Sequence, residues 1–355
     1  MPNIHRSAHL ATRKSRLAVV VGVALIASSC GGDDDTAATQ PQSVETTATP
    51  APTDAPTTDA PADAFPVTFE QMTGPVRVPE KPVRVVTLGY TDTDVANALG
   101  AEIVAAVASP FGDDGVNPYW AATPLSAEVA SLDVQTPNLE VIAAADPDII
   151  LAMGAYPSAI ELYDELSQIA PMITPTTGPL LDSAEDVTIT IGRALGESEA
   201  AAQLLADADQ AIDDFVAANP QLAGKTAVFA PREGTNTAIF IDESAASVAL
   251  LRQLGLEAPD EVTSLSGDRI FGATFISDEQ IAVIDSADIA IVGLYTDEAR
   301  EAFLAMPTVA SLSVASEGRL IPIDRTLGAA LQTPNPVSVH YLLSELGPRI
   351  AAAAT

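Results

Sequence analysis

The chain has 355 residues, with 48 Asp plus Glu against 16 Lys plus Arg for a formal net charge of −32, 47% hydrophobic residues, one cysteine and three histidines. That length supplies enough apolar material for one large or two medium domains. The acidic balance repels phosphate backbones and argues against nucleic acid as a partner, while a single cysteine excludes an intramolecular disulfide and any multi-cysteine zinc or iron–sulfur site.

The first predicted element is an address. Arg6, Arg13, Lys14 and Arg16 precede the apolar run Leu17 to Ile26, which is shorter than the roughly 20 residues a membrane span needs. Residues 1–29 therefore read as a secretory signal peptide. The ending Ala27-Ser28-Ser29-Cys30 resembles the bacterial lipoprotein box, in which Cys30 is lipidated and begins the mature chain. From Gly31 to Ala64 there is no Lys or Arg, and Val44 is the only large aliphatic side chain. Such a stretch buries too little apolar surface to fold, so residues 30–64 are expected to be a Pro-rich tether with a reach of about 100 Å when extended.

From Phe65 onward the pattern alternates strands with helices, which argues for parallel α/β sheets. Arg84 to Leu88 is a short apolar strand, Asp94 to Leu99 a helix stopped by Gly100, and Leu139 to Ala145 a second helix leading to the strand Ile149 to Ala152. The longest helical pattern covers 184–218 and ends before Pro220; at 1.5 Å per residue it would be about 50 Å long, enough to bridge two lobes. Strands resume with Thr226 to Ala230, and Val337 to Leu346 reads as a final helix carrying His340.

The two halves repeat in register. Glu140-Val141-Ile142-Ala143 leads through Asp148 to a strand and then Tyr156, and Glu279-Gln280-Ile281-Ala282 leads through Asp288 to the strand Ile289 to Val292 and then Tyr295. Upstream, Tyr90 and Arg232 each follow a short strand. The repeat would set Tyr90, Tyr156, Arg232 and Tyr295 just beyond carboxyl ends of strands, where open α/β sheets bind ligands. No G-x-S-x-G elbow, H-E-x-x-H, P-loop or G-x-G-x-x-G is present, and the histidine count excludes a multi-histidine metal site. The residues favour binding over catalysis, with no catalytic group, no resident metal and no cofactor expected.

These residues resemble the iron-siderophore and cobalamin group of ABC-transporter substrate-binding proteins, the class III periplasmic-binding fold. The marks run from Phe65-Pro66-Val67-Thr68 and Pro82-Val83-Arg84-Val85-Val86, through Asn138-Leu139-Glu140, Pro147-Asp148-Ile149-Ile150, Ile169-Ala170-Pro171 and Ala194-Leu195-Gly196, to Ser277-Asp278-Glu279 and Pro336-Val337-Ser338. The resemblance implies two α/β lobes with parallel sheets, residues 65–183 and 220–355, joined by a single long helix, residues 184–219. It implies a monomeric extracytoplasmic lipoprotein, anchored to the outer face of the cell membrane at Cys30. That protein would hold a ferric siderophore between the lobes and deliver it to the permease and ATPase subunits of an ABC importer.

In such proteins one surface glutamate per lobe meets arginines of the permease, and Glu140 and Glu279 match those positions. Both acids also suit the first turn of a helix, capped by Asn138 and Ser277. Tyr119 and Trp120 follow Pro118 and either face a flat ligand or pin a loop. Arg232 and Arg325 stand where the family points basic residues at the chelate, or else pair with the adjacent Glu233 and Asp324. The few cations favour a neutral or weakly charged chelate. Cobalamin or haem in the same fold, and an extracellular enzyme using His340 or a cleft carboxylate, are the competing expectations.

Overall fold

In a computed structural model of the protein, residues 63–355 are described, so the signal segment 1–29, Cys30 and nearly all of the tether lie outside the described residues. Among the described residues no helix is long and apolar enough to cross a membrane. A short antiparallel ribbon, β1 (Val67–Phe69) and β2 (Val76–Val78), opens the fold. It packs Phe69 and Val78 into the core of a first lobe.

That lobe is built on β3 (Arg84–Thr87), β4 (Glu102–Val107), β5 (Ala130–Leu132), β6 (Ile149–Leu151) and β7 (Met172–Ile173), ordered β5-β4-β3-β6-β7 and parallel throughout. Every residue of β6 is fully buried, as a central parallel strand covered on both faces requires. The period of two then divides the core: Val85, Ile149 and Leu151 pack on one face, Val86 and Ile150 on the other.

The second lobe contains β8 (Lys225–Glu233), β9 (Asn236–Phe240), β10 (Leu256–Glu257), β11 (Ala273–Ile276), β12 (Ile289–Leu294) and β13 (Leu320–Ile323). Its main order is β11-β9-β8-β12-β13, with β10 also pairing β8. The pairings among β8, β10, β12 and β13 are parallel, whereas β9 is reversed and pairs antiparallel with both β8 and β11. The two α/β lobes with parallel sheets are thus present, with one reversed strand making the second lobe's sheet mixed. The reason is local: Gly234, with φ +59, lies between β8 and β9 and turns the chain straight back into a hairpin instead of a helical crossover.

The repeat has a physical basis. Asp148, just before β6, accepts from the backbone N–H groups of Val83 and Arg84 at 2.9 and 2.8 Å, and so clamps the start of β3. Asp288, just before β12, accepts from Thr226 N at 2.9 Å and clamps β8 in the same way. These bonds hold both carboxyls below the usual carboxylate range.

The single helix expected over 184–219 is two helices, Ala184–Leu195 and Ser198–Ala218. Gly196 adopts φ +67 between them; its N–H reaches the Arg193 carbonyl at 3.3 Å and the Glu197 N–H reaches Gly192 O at 2.7 Å. This is a Schellman ending, which stops a helix whatever periodicity continues beyond it. Lys81 secures the break by bonding Gly196 O at 3.3 Å and Glu197 at 2.7 Å. The first helix packs on the helix Tyr90–Ala98 of the first lobe, and the second packs on Ser338–Glu345 of the other, so the pair still bridges the lobes.

Asp94 also joins the lobes. It lies buried on the helix Tyr90–Ala98, and its Oδ2 accepts from Trp120 Nε1 at 2.7 Å and from Asn335 Nδ2 of the second lobe at 2.9 Å. Burial pushes the Asp94 carboxyl up to about 6 against the opposing pull of those two bonds. Its neighbour Asp92, also buried and bonded to Gly154 N at 3.1 Å, is pushed up to about 7 by desolvation.

Two outcomes follow from this architecture. Gly196→Ala places a side chain at positive φ with its Cβ 2.9 Å from the Phe65 ring, and should lower unfolding free energy by about 1–2 kcal/mol in urea denaturation. The folded-state values of Asp92 and Asp94 stand above the ordinary 3.8, so their contribution to stability is greatest below that value and declines as pH rises through it to about 7. Because Trp120 is the only tryptophan, its emission should titrate with a midpoint near pH 6, and Asp94→Asn, which keeps an acceptor but cannot ionise, should flatten the curve.

Candidate functional site

The carboxyl ends of the parallel strands in the two sheets border one cleft. On the first-lobe side Tyr90 begins the helix after β3, and Tyr156 follows β6. They share a small recess of about 90 Å³ with Phe111 and Trp120, closed from the second lobe by Gln332 and Asn335. On the second-lobe side a larger concavity of about 410 Å³ is lined by Arg232, Tyr295, Phe240, Phe271 and Phe275. Gln332 borders both spaces, so the two form parts of one site.

Aromatic contacts set the cleft's shape. Phe111 meets Tyr90 edge-on at 5.2 Å and stacks with Trp120 at 6.1 Å. Trp120 in turn lies 5.6 Å from Tyr341 of the second lobe. With its indole N–H on Asp94, Trp120 exposes one part of its ring to the recess and uses the rest to join the lobes. Tyr119 is 54% exposed and lines neither space; its hydroxyl donates to Asp113 at 2.6 Å and its ring stacks on Tyr341 at 6.4 Å. Of the Tyr-Trp pair, Trp120 reaches the site and Tyr119 pins the loop.

The two arginines differ. Arg232 is 9% exposed and pairs with Asp278 at 2.6 Å, not with the adjacent Glu233, while also bonding Thr237 Oγ1 at 3.0 Å. Its guanidinium lies 5.4 Å from the Phe303 ring centre. It lines the concavity, but its charge is neutralised within its own lobe. Arg325 is exposed, with its guanidinium 5.2 Å from the Tyr295 ring centre. Among the described residues it has no carboxylate at ion-pair distance. Asp324 instead caps the following helix by accepting from Leu327 N at 2.9 Å. The Tyr295 ring also presses against Gly328, where a Cβ would come within 2.7 Å of it.

Burial raises the phenol pKa of Tyr90, Tyr156 and Tyr295, aided at Tyr90 by the charges of Tyr156 and Asp133 and opposed at Tyr295 by Arg325. The three phenols are thus protonated hydrogen-bond donors at neutral pH. Among the described residues no group of three or more His, Cys, Asp or Glu could hold a metal ion. His340 is exposed on its helix, away from both spaces.

Glu140 and Glu279 are both exposed. Glu140 stands in the first turn of the helix Leu139–Ala144, where Asn138 caps the N–H groups of Glu140 and Val141. Glu279 lies in a turn before the 3₁₀ helix Ile281–Ser286 and not in an α-helix, a departure from the expected repeat. Ser277 does not cap a helix there; its hydrogen bond lowers the Glu279 pKa. The Arg232–Asp278 pair anchors this turn to the end of β8. Topology puts both glutamates on the cleft side of their sheets: the Leu139–Ala144 helix starts at the carboxyl edge, and β11 ends beside Thr237 and Arg232.

Several residues escaped sequence reasoning: Phe111, Asp94, Gln332, Asn335, Phe271 and Phe275. The alternation Ala273-Thr274-Phe275-Ile276 was the available signal for β11 and the wall it forms. Nothing local marks the Asp94–Asn335 contact, whose partners are 241 residues apart.

The family model described as "Periplasmic binding protein" matches residues 85–327. The probable siderophore-binding lipoprotein YfiY of Bacillus subtilis is 26% identical over 226 residues, covering 63% of this chain and 67% of the relative. Among solved structures, a periplasmic solute-binding protein from Mycobacterium smegmatis aligns with TM-score 0.69 at 26% identity, over 82% of this chain and 99% of the other. Streptococcus pneumoniae PiaA in complex with ferrichrome aligns with TM-score 0.68 at 26% identity, over 81% and 98%. The overall fold is shared with these structures, and the chain belongs to the periplasmic binding protein family.

Proposed function

We propose that the protein is an extracytoplasmic, lipid-anchored receptor that captures a ferric siderophore in the inter-lobe cleft and delivers it to the permease of an ABC importer. The observation that carries this reading is a cleft rich in aromatic rings and protonated phenols, without a metal-ligating cluster among the described residues. Such a site suits iron that arrives already coordinated: rings pack on the organic arms of the chelate, and phenols donate to its oxygens. The name of YfiY as a probable siderophore-binding lipoprotein and the ferrichrome complex of PiaA support the same ligand class. Lipidation at Cys30 and the tether rest on the sequence, supported by the lipoprotein name of YfiY.

The charges of the cleft narrow the ligand. Arg232 is neutralised by Asp278, Glu233 lines the same concavity, and Arg325 stands beside Tyr295 but lines neither space, within a chain of net charge −32. A neutral ferric trihydroxamate should bind at least about tenfold tighter than a trianionic ferric tris-catecholate. Salt should narrow the gap by screening the repulsion. Quenching of Trp120 emission measures both; a tris-catecholate that bound more tightly at low salt would contradict the charge argument.

Glu140 and Glu279, exposed on the cleft side of each lobe, are the proposed contacts to permease arginines, one per lobe. Charge reversal at both sites should abolish cellular iron-chelate uptake while leaving chelate affinity within about twofold in solution. Uptake that persisted in the double variant would remove this docking assignment.

A further inference from the structure

Three of the exposed large apolar side chains gather on one hairpin at the free edge of the second lobe's sheet. Ile270 is 50% exposed, Phe271 39% and Phe275 53%. In the β9–β11 pair, Ala273 lies opposite Phe240 and Phe275 opposite Ala238, and all four line the 410 Å³ concavity. Strand alternation sends Ile239 and Ile276 to the core on the opposite face.

The turn that enters β11 is a tight one. Ile270 and Ala273 exchange both backbone hydrogen bonds, at 2.9 and 3.0 Å, and the two residues between them, Phe271 and Gly272, have φ of +50 and +80. Two-residue turns of this kind favour Asn, Asp or Gly at the first central position. A bulky aromatic residue in the left-handed region is strained and needs surroundings that over-determine it. Those surroundings are present. Gly272 O accepts from Ile241 N at 3.0 Å and Asp242 N at 3.1 Å, and Arg269 pairs with Asp242. Phe271 takes part in none of the core clusters of the described residues, so the strain does not serve packing.

We propose that Phe271, backed by Ile270 and Phe275, is an aromatic lip of the cleft that packs on the apolar arms of the bound ferric chelate and sets a preference for chelates carrying such arms. This rests on the ligand reading given above. The rigid hairpin holds the ring at the rim before the ligand arrives, so no ordering of a slack loop opposes binding.

The test compares wild type with Phe271→Asn, whose side chain suits the turn, and with Phe271→Leu, which keeps an apolar group at the rim. Probes are thermal unfolding and calorimetric titration with a neutral ferric trihydroxamate bearing aliphatic arms. The Asn variant should melt a few degrees higher yet bind the chelate about tenfold more weakly, while the Leu variant keeps most of the affinity. A lower melting temperature for the Asn variant would make Phe271 a folding residue and overturn the proposal, as would a stabilised variant of unchanged affinity. If wild type binds this probe and both variants match it, only the lip fails. If wild type binds no ferric chelate, the ligand reading itself fails and the lip falls with it.

Discussion

A buried carboxylate cannot be left without partners, and Asp94 satisfies that constraint by drawing donors from two distant parts of the chain. Its Oδ2 accepts from the Trp120 indole and from the Asn335 amide. An isolated buried charge is strongly disfavoured, so these donors are held where the carboxylate needs them. The helix Tyr90–Ala98 thereby sets the loop that carries Phe111 and Trp120, and the Asn335 turn sets the second lobe against it. The recess between Tyr90, Tyr156 and Gln332 is a consequence of that arrangement. Bridging helices bring the lobes near one another, while the Asp94 contact fixes the cleft wall itself.

The same logic, a carboxylate accepting backbone N–H groups, organises each sheet. Asp148 and Asp288 tie the central strands β6 and β12 to the starts of β3 and β8. Side chains just beyond the opposite ends of these strands, Tyr90, Tyr156 and Tyr295, are then delivered to the cleft. Arg232 reaches the same edge but is bound to Asp278, and it serves to hold the turn carrying Glu279.

What was legible in the sequence depended on range. Buried parallel strands such as Ile149–Leu151 and Ile289–Leu294 announce themselves as apolar runs; Tyr295 follows its run directly, and Tyr90 and Tyr156 lie a few residues beyond theirs, so all three could be positioned. The break at Gly196 was hidden because helical periodicity continues on both sides of it, and only the backbone bonds from Gly196 and Glu197 reveal two helices. Arg232 looked like a partner for Glu233 because neighbours in sequence are visible, whereas Asp278, 46 residues away, is not. Trp120 was legible as an aromatic residue of the cleft, but its bond to Asp94 depends on tertiary placement. Antiparallel β9 and β11 are short and do not alternate cleanly between apolar and polar residues, too weak a pattern to reveal the wall holding Phe275.

On the proposed function, the cleft receives iron as a finished chelate and contributes no ligand of its own. Burial raises the pKa of the three cleft phenols and so disfavours their ionised, iron-ligating form, and among the described residues no cluster of three or more His, Cys, Asp or Glu stands ready to hold a metal ion. The most direct measurement is the anomalous scattering of iron in crystals grown with a ferric trihydroxamate. One iron peak is expected in the cleft between Tyr156 and Tyr295, with every coordinating oxygen supplied by the chelate. A peak outside the cleft, or a tyrosine or carboxylate oxygen of the protein at bonding distance from the iron, would contradict it.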